Sequence, residues 1–194
     1  MSGLVDFTSS APGTVGVTPV STEGTKATYR AAALAFAAVA TPTDIIIIQG
    51  SATRTVRIKS VTLAGAATAA GTMSAQLVRR STAGTLGSAV LTAVSPAKHD
   101  SADPTATAVV STVGTANYTT VGTSAGVVGA ARLQLTALAT GLAAVPIVWD
   151  FAIRQDKAFV LRGVSEFLCV NMSGIAIPVG GVIDFAIEWE EDGS

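Results

Sequence analysis

The sequence predicts an all-β protein, an antiparallel β-sandwich of jelly-roll type, and three observations predict it. Where a pattern is clearest, apolar residues recur at every second position: over 181–190, Ile183, Phe185, Ile187 and Trp189 share one phase, and Asp184, Glu188 and Glu190 the other. Short β-branched runs are bounded by turn residues, as Ile45-Ile46-Ile47-Ile48 is by Pro42 and Gly50. No segment joins helical spacing to helix caps. At 194 residues the chain accommodates one such domain plus an arm. About eight to ten short strands with long loops are expected.

Residues 1–25 are rich in Ser, Thr, Gly and Pro, with little apolar patterning, and predict an extended, mobile N-terminal arm; 26–194 form the sandwich domain. The Ala31–Ala40 run favours helix by propensity, but Leu34 and Phe36 are two apart and Pro42 follows, which predicts a strand with a short helical turn beside it. The four isoleucines within 44–49 predict a strand buried on both faces. Over 53–63, Val56 and Ile58 alternate with Arg57 and Lys59, then the phase slips at Ser60 and passes to Val61 and Leu63, as a β-bulge requires. A strand at 75–80 is entered from the Gly/Ala/Thr segment 65–74.

The stretch 81–128 is poor in bulky residues and predicts mainly long loops, with strands at 105–112 and near Tyr118; loops of this length are candidates for contact with a partner. Strands follow at 131–138, 147–153, 158–161 and 167–172, the last two separated by the Arg162-Gly163 turn, and at 181–190.

Composition narrows the function. Apolar residues make up 49% of the chain but aromatics only 5% and charged residues only 13%, about half the charged share of an ordinary soluble domain. Small side chains bury little area each and few charges keep the surface wet, which suits a subunit whose surface neighbours cover. The net charge of −1 offers no footprint for nucleic acid; Arg54, Arg57, Lys59, Arg79 and Arg80 come nearest to a basic cluster, and Arg57 and Lys59 fit the outward face of a strand. No secretory leader and no membrane-length apolar stretch is visible, which predicts a soluble protein made in a cytoplasm.

Candidate chemistry is sparse. His99, beside Asp100 and Ser101, lies on a loop where neighbours rarely hold triad geometry. Glu188, Glu190, Glu191 and Asp192 crowd one strand end and do not flank a cleft. Cys169, alone in Phe167-Leu168-Cys169-Val170, predicts a buried, inert thiol. Gly122-Thr123-Ser124-Ala125-Gly126 lacks the Lys-Ser/Thr of a phosphate loop, and no acidic cluster has calcium-loop spacing. Trp149 and Trp189 are in phase with core residues, although together they could offer a sugar-stacking platform. No catalytic, metal-binding or cofactor-binding residue is therefore predicted, and the chain is not expected to be an enzyme.

Several segments, Thr43-Asp44-Ile45-Ile46, Gly50-Ser51-Ala52-Thr53-Arg54-Thr55-Val56-Arg57-Ile58, Pro146-Ile147-Val148-Trp149-Asp150-Phe151, Val160-Leu161-Arg162-Gly163 and Asp184-Phe185-Ala186-Ile187-Glu188-Trp189-Glu190-Glu191, resemble small virion-associated proteins of tailed bacteriophages, over residues 27 to 191. That resemblance implies a β-sandwich head protein: a capsid cement (decoration) subunit or a head-fibre adaptor, often trimeric at capsid three-fold positions. It carries no catalytic residues. The function expected is thus a non-enzymatic virion protein on the capsid exterior, bound to the major capsid protein and to its own copies, with neither nucleic acid nor membrane as partner. The alternative is a receptor- or carbohydrate-binding module.

Overall fold

The computed structural model describes residues 26–39, 43–114, 116–140, 144–151 and 157–193. The expected arm, 1–25, lies outside them. Among the described residues the chain is all-β, in twelve strands: β1 (Ala27–Phe36), β2 (Asp44–Gln49), β3 (Arg54–Ala67), β4 (Gly71–Arg80), β5 (Leu91–Val94), β6 (Ala97–Lys98), β7 (Val109–Val113), β8 (Ser124–Ala137), β9 (Ile147–Asp150), β10 (Phe159–Arg162), β11 (Phe167–Asn171) and β12 (Val182–Gly193). A single 3₁₀ turn, Leu138–Thr140, follows β8.

Hydrogen-bonded neighbours run β5-β7-β2-β11-β4-β8-β3-β12-β1-β6, with β9 and β10 also on β3. The result is one curled, mixed sheet, a half-barrel closed around its apolar face. All pairings are antiparallel except the β3–β8 join, where Ala66 and Ala67 meet Thr136 and Ala137 in parallel. Strands β3, β8 and β12 are also longer than the short strands expected, at 14, 14 and 12 residues. For β3 the reason is the small-residue segment 65–74. It has few bulky side chains to mark a strand, yet it is the end of β3, a tight turn and the start of β4.

Alternation decides which side chains line the interior. Val56, Ile58, Val61 and Leu63 of β3 and Ile183, Phe185, Ile187 and Trp189 of β12 belong to one buried cluster with Ile46, Ile48, Leu77 and Leu133. The phase slip in β3 is a bulge: Glu188 pairs with Ser60 and Trp189 with Ile58, leaving Lys59 extra. One inserted residue keeps both halves of the strand facing inward. Ile47 points the other way, into a smaller cluster with Val113, Phe167 and Cys169, so β2 is buried on both faces as its four isoleucines require.

The Ala31–Ala40 run is strand as far as Phe36. A second bulge sits there, between Ala33 and Phe36, where Ala35 adopts φ +53° and donates its N–H to Asp184 Oδ1 at 2.7 Å. Gly163, at φ +77°, makes the turn between β10 and β11. In 81–128, strand occupies 91–94, 97–98, 109–113 and the start of β8, while Tyr118 lies in a loop beside an isolated Thr85–Thr120 bridge.

Candidate functional site: a charged face and an uncharged end

Strand register sorts the charges. On the outer face of β1, β12 and β3, acidic residues of the middle strand lie between basic residues. Lys26 reaches Asp192 at 3.1 Å and Glu190 at 3.8 Å, and Lys59 reaches Glu188 at 3.7 Å and Glu190 at 3.5 Å. Arg57 pairs with Asp192. Burial would raise the Asp192 carboxyl, but hydrogen bonds from Arg57 and Lys26 outweigh it and hold the carboxyl below its ordinary range. The carboxylates near the terminus are thus members of a neutralised ladder. The basic residues do not form a patch either: Arg79 bonds Glu166 at 2.8 Å and lies over the Phe159 ring, while Arg80 is buried against Asp44.

Glu191 differs from its neighbours. Its position continues the inward phase of Ile187 and Trp189, and it is 2% exposed. Its carboxylate accepts from Thr107 N at 2.9 and 3.0 Å, Thr107 Oγ1 at 2.7 Å, Ala108 N at 2.8 Å and Trp189 Nε1 at 3.1 Å. Next to it Tyr29 stacks on Trp189 with 5.8 Å between ring centroids and donates to the Pro104 carbonyl at 2.9 Å. Burial, then the Glu191 charge, raises the Tyr29 pKa. These contacts pin the 99–108 loop to β1 and β12. The strand phase was the signal that Glu191 is internal; grouping it with the exposed acids hid that.

The remaining candidates do not assemble a reaction centre. His99 is exposed and its backbone N–H donates to the Thr28 carbonyl, while Asp100 accepts from Ala102 N within its own loop. Cys169 is buried, and burial first, then the Asp44 charge, pushes its thiol well above the usual range. Trp189 is fully buried, and Trp149 lies against Gly129, so the two indoles make no shared platform. Among the described residues no group of three or more His, Cys, Asp or Glu could hold a metal ion, and no helix is long and apolar enough to cross a membrane.

The opposite pattern is the more informative. Several long runs carry no charged residue: 7–22, 81–97 and 104–131, and the four that matter here, 31–43, 60–78, 133–149 and 167–183. Topology brings parts of these last four to one end of the half-barrel. Phe36 pairs with Ile183, Val182 with Ala66, Gly71 with Leu135 and Leu63 with Ile147. Pro178 and Gly180 close on Gly71 and Thr68. At this end Val179 is 88% exposed, Val145 69% and Leu138 64%, with Leu34 of the Ala35 bulge 84% exposed nearby. Arg132 and Asp184 mark its border. Such an end offers water nothing charged and a partner a broad apolar contact.

Comparisons with protein-family models, curated proteins and solved structures return no match to this chain.

Proposed function

We propose that this chain is a non-enzymatic structural subunit, a cement protein of a tailed-phage capsid, that seats its uncharged end against copies of itself and the shell beneath. The convergence of four of the charge-free runs on one end, with Leu138, Val145 and Val179 exposed there, carries this reading. Interface cores are depleted of charge and enriched in apolar surface, and large exposed apolar side chains are costly unless a neighbour covers them. The neutralised ladder on β1, β12 and β3 then faces water.

With that role goes the finer architecture, a jelly-roll-like sandwich in which the β6-β1-β12-β3 side and the β5-β7-β2-β11-β4-β8 side act as facing layers. The core they share supports it. A trimer seated on the capsid exterior, contacting the major capsid protein, is the assembly proposed. Many weak apolar contacts, repeated over a symmetric shell, hold such a subunit through avidity.

Light scattering coupled to size exclusion tests the association. The unaltered chain should elute as a trimer, and a Leu138→Asp, Val179→Asp double variant as a folded monomer that no longer co-sediments with capsids. A monomeric parent chain that binds no capsid, or a double variant that assembles unchanged, would refute this function.

A further inference from the structure

On the outer face of β2, β7 and β11 lies a partly open cavity of about 210 Å³. Its floor is the smaller apolar cluster, with Ile47 and Phe167, and its roof is made by the loops 81–90 and 116–123. The roof is built before any ligand arrives: Ser81 N donates to Thr123 O at 3.0 Å and Thr85 N to Thr120 O at 2.8 Å. Gly122 passes so close to Thr82 that an added Cβ would stand 2.0 Å from the Thr82 carbonyl oxygen.

Six polar side chains line this mainly apolar chamber: Asp44, Gln49, Arg80, Thr82, Ser111 and Tyr118. Asp44 and Arg80 form a buried bidentate pair, Nε to Oδ2 at 3.1 Å and Nη2 to Oδ1 at 2.8 Å, and Asn171 Nδ2 adds a third bond to Oδ1 at 2.7 Å. Among them Tyr118 makes no hydrogen bond through its hydroxyl to a described residue. Burial, with Cys169 and Asp44 nearby, pushes the Tyr118 phenol up to about 12, so near neutral pH it remains a hydrogen-bond donor.

Charge decides what fits. Asp44 already compensates Arg80, so a carboxylate ligand would bring an unpaired negative charge against a mainly apolar lining, and an amine an unpaired positive one. Size decides the rest. An apolar cavity of about 150 Å³ accepts benzene, so this one accepts a single ring with a short substituent, about eight heavy atoms.

We propose that this cavity is a binding site for a neutral, single-ring alcohol, phenol or ketone, its ring on Ile47, Leu86 and Phe167 and its oxygen accepting from Tyr118. The inference stands apart from the association proposed above, since the cavity uses the opposite side of β2 from the main core.

Titration with benzyl alcohol and acetophenone, followed by protein-observed NMR, tests it. Both should give saturable shifts, confined to the cavity and its roof, with dissociation constants of about 0.1–1 mM, as their size allows. Benzoate and benzylamine should bind at least about tenfold more weakly. Tyr118→Phe should weaken acetophenone about three- to tenfold while leaving toluene unchanged, which separates a lost hydrogen bond from a misfolded roof. Ser111→Leu, which fills the chamber from β7, should abolish binding of benzyl alcohol, acetophenone and toluene. Absence of saturable shifts in the unaltered protein, benzoate binding as well as acetophenone, or shifts scattered outside the cavity would overturn the assignment.

Discussion

Replacing Glu191 with alanine should destabilise this protein more than any other single change on its acidic strand end. The carboxylate accepts five hydrogen bonds from four donors on Thr107, Ala108 and Trp189. Truncation leaves two backbone N–H groups and the indole N–H without their acceptor. A buried donor left unsatisfied costs about 1–3 kcal/mol, and bonds to a charged acceptor contribute about 1.5–3 kcal/mol. Thr107 borders solvent, so water can rescue part of that loss, and Ala108 and Trp189 bear the rest. The net effect should be about 3–4 kcal/mol, a large part of the roughly 5–15 kcal/mol that holds a domain folded. Glu191→Gln keeps one acceptor oxygen but turns an NH₂ toward donors, and should cost about 2 kcal/mol. Urea unfolding followed by tryptophan fluorescence measures both, because Trp189 is itself one of the donors. Glu188→Ala, on the exposed face, should cost less than about 1 kcal/mol. A Glu191→Ala protein within about 1 kcal/mol of the parent, at unchanged denaturant slope, would refute the view that this carboxylate anchors the 99–108 loop.

Two further outcomes follow from the charged groups. Burial works against the Arg80 charge, and the hydrogen bonds and charge of Asp44 outweigh it, raising the Arg80 pKa; Asp44→Ala should therefore cost about 3–5 kcal/mol in urea unfolding, while Asp44→Leu with Arg80→Met should recover most of it. The Asp192 carboxyl is held below its ordinary value of 3.8 in the folded chain, so its stabilisation is complete above that value and is lost as pH falls through the depressed folded one. Asp192→Asn should flatten the acid limb of stability against pH and cost less than about 1 kcal/mol near neutrality, as partly exposed pairs do, and an unchanged acid limb would count against the ladder.

Much of the strand pattern was legible because alternation is a local property. Burying one sheet face imposes a two-residue period on β12, and the bulge at Lys59 is visible as a break in that period. The doubly buried β2 showed itself as four consecutive isoleucines for the same reason. Small residues carry no such signal. The ends of β3 and β4 and the first half of β8 were therefore assigned to loops, and the lengths of these strands emerged only with their partners in place.

The sequence by itself determined that the chain is all-β, that it carries little charge, and that several long stretches carry none. Tertiary structure decided where these features go. Asp44 and Arg80 are 36 positions apart, and Glu191 and Ala108 83, and only the ladder through β2, β11 and β4 and the fold of the 99–108 loop bring them into contact. The same holds for the uncharged end: each run is plain in the sequence, but their meeting depends on which strands pair and in which register. Alternation reports whether a side chain faces in or out, whereas pairing between distant strands is chosen by the packing of the whole core.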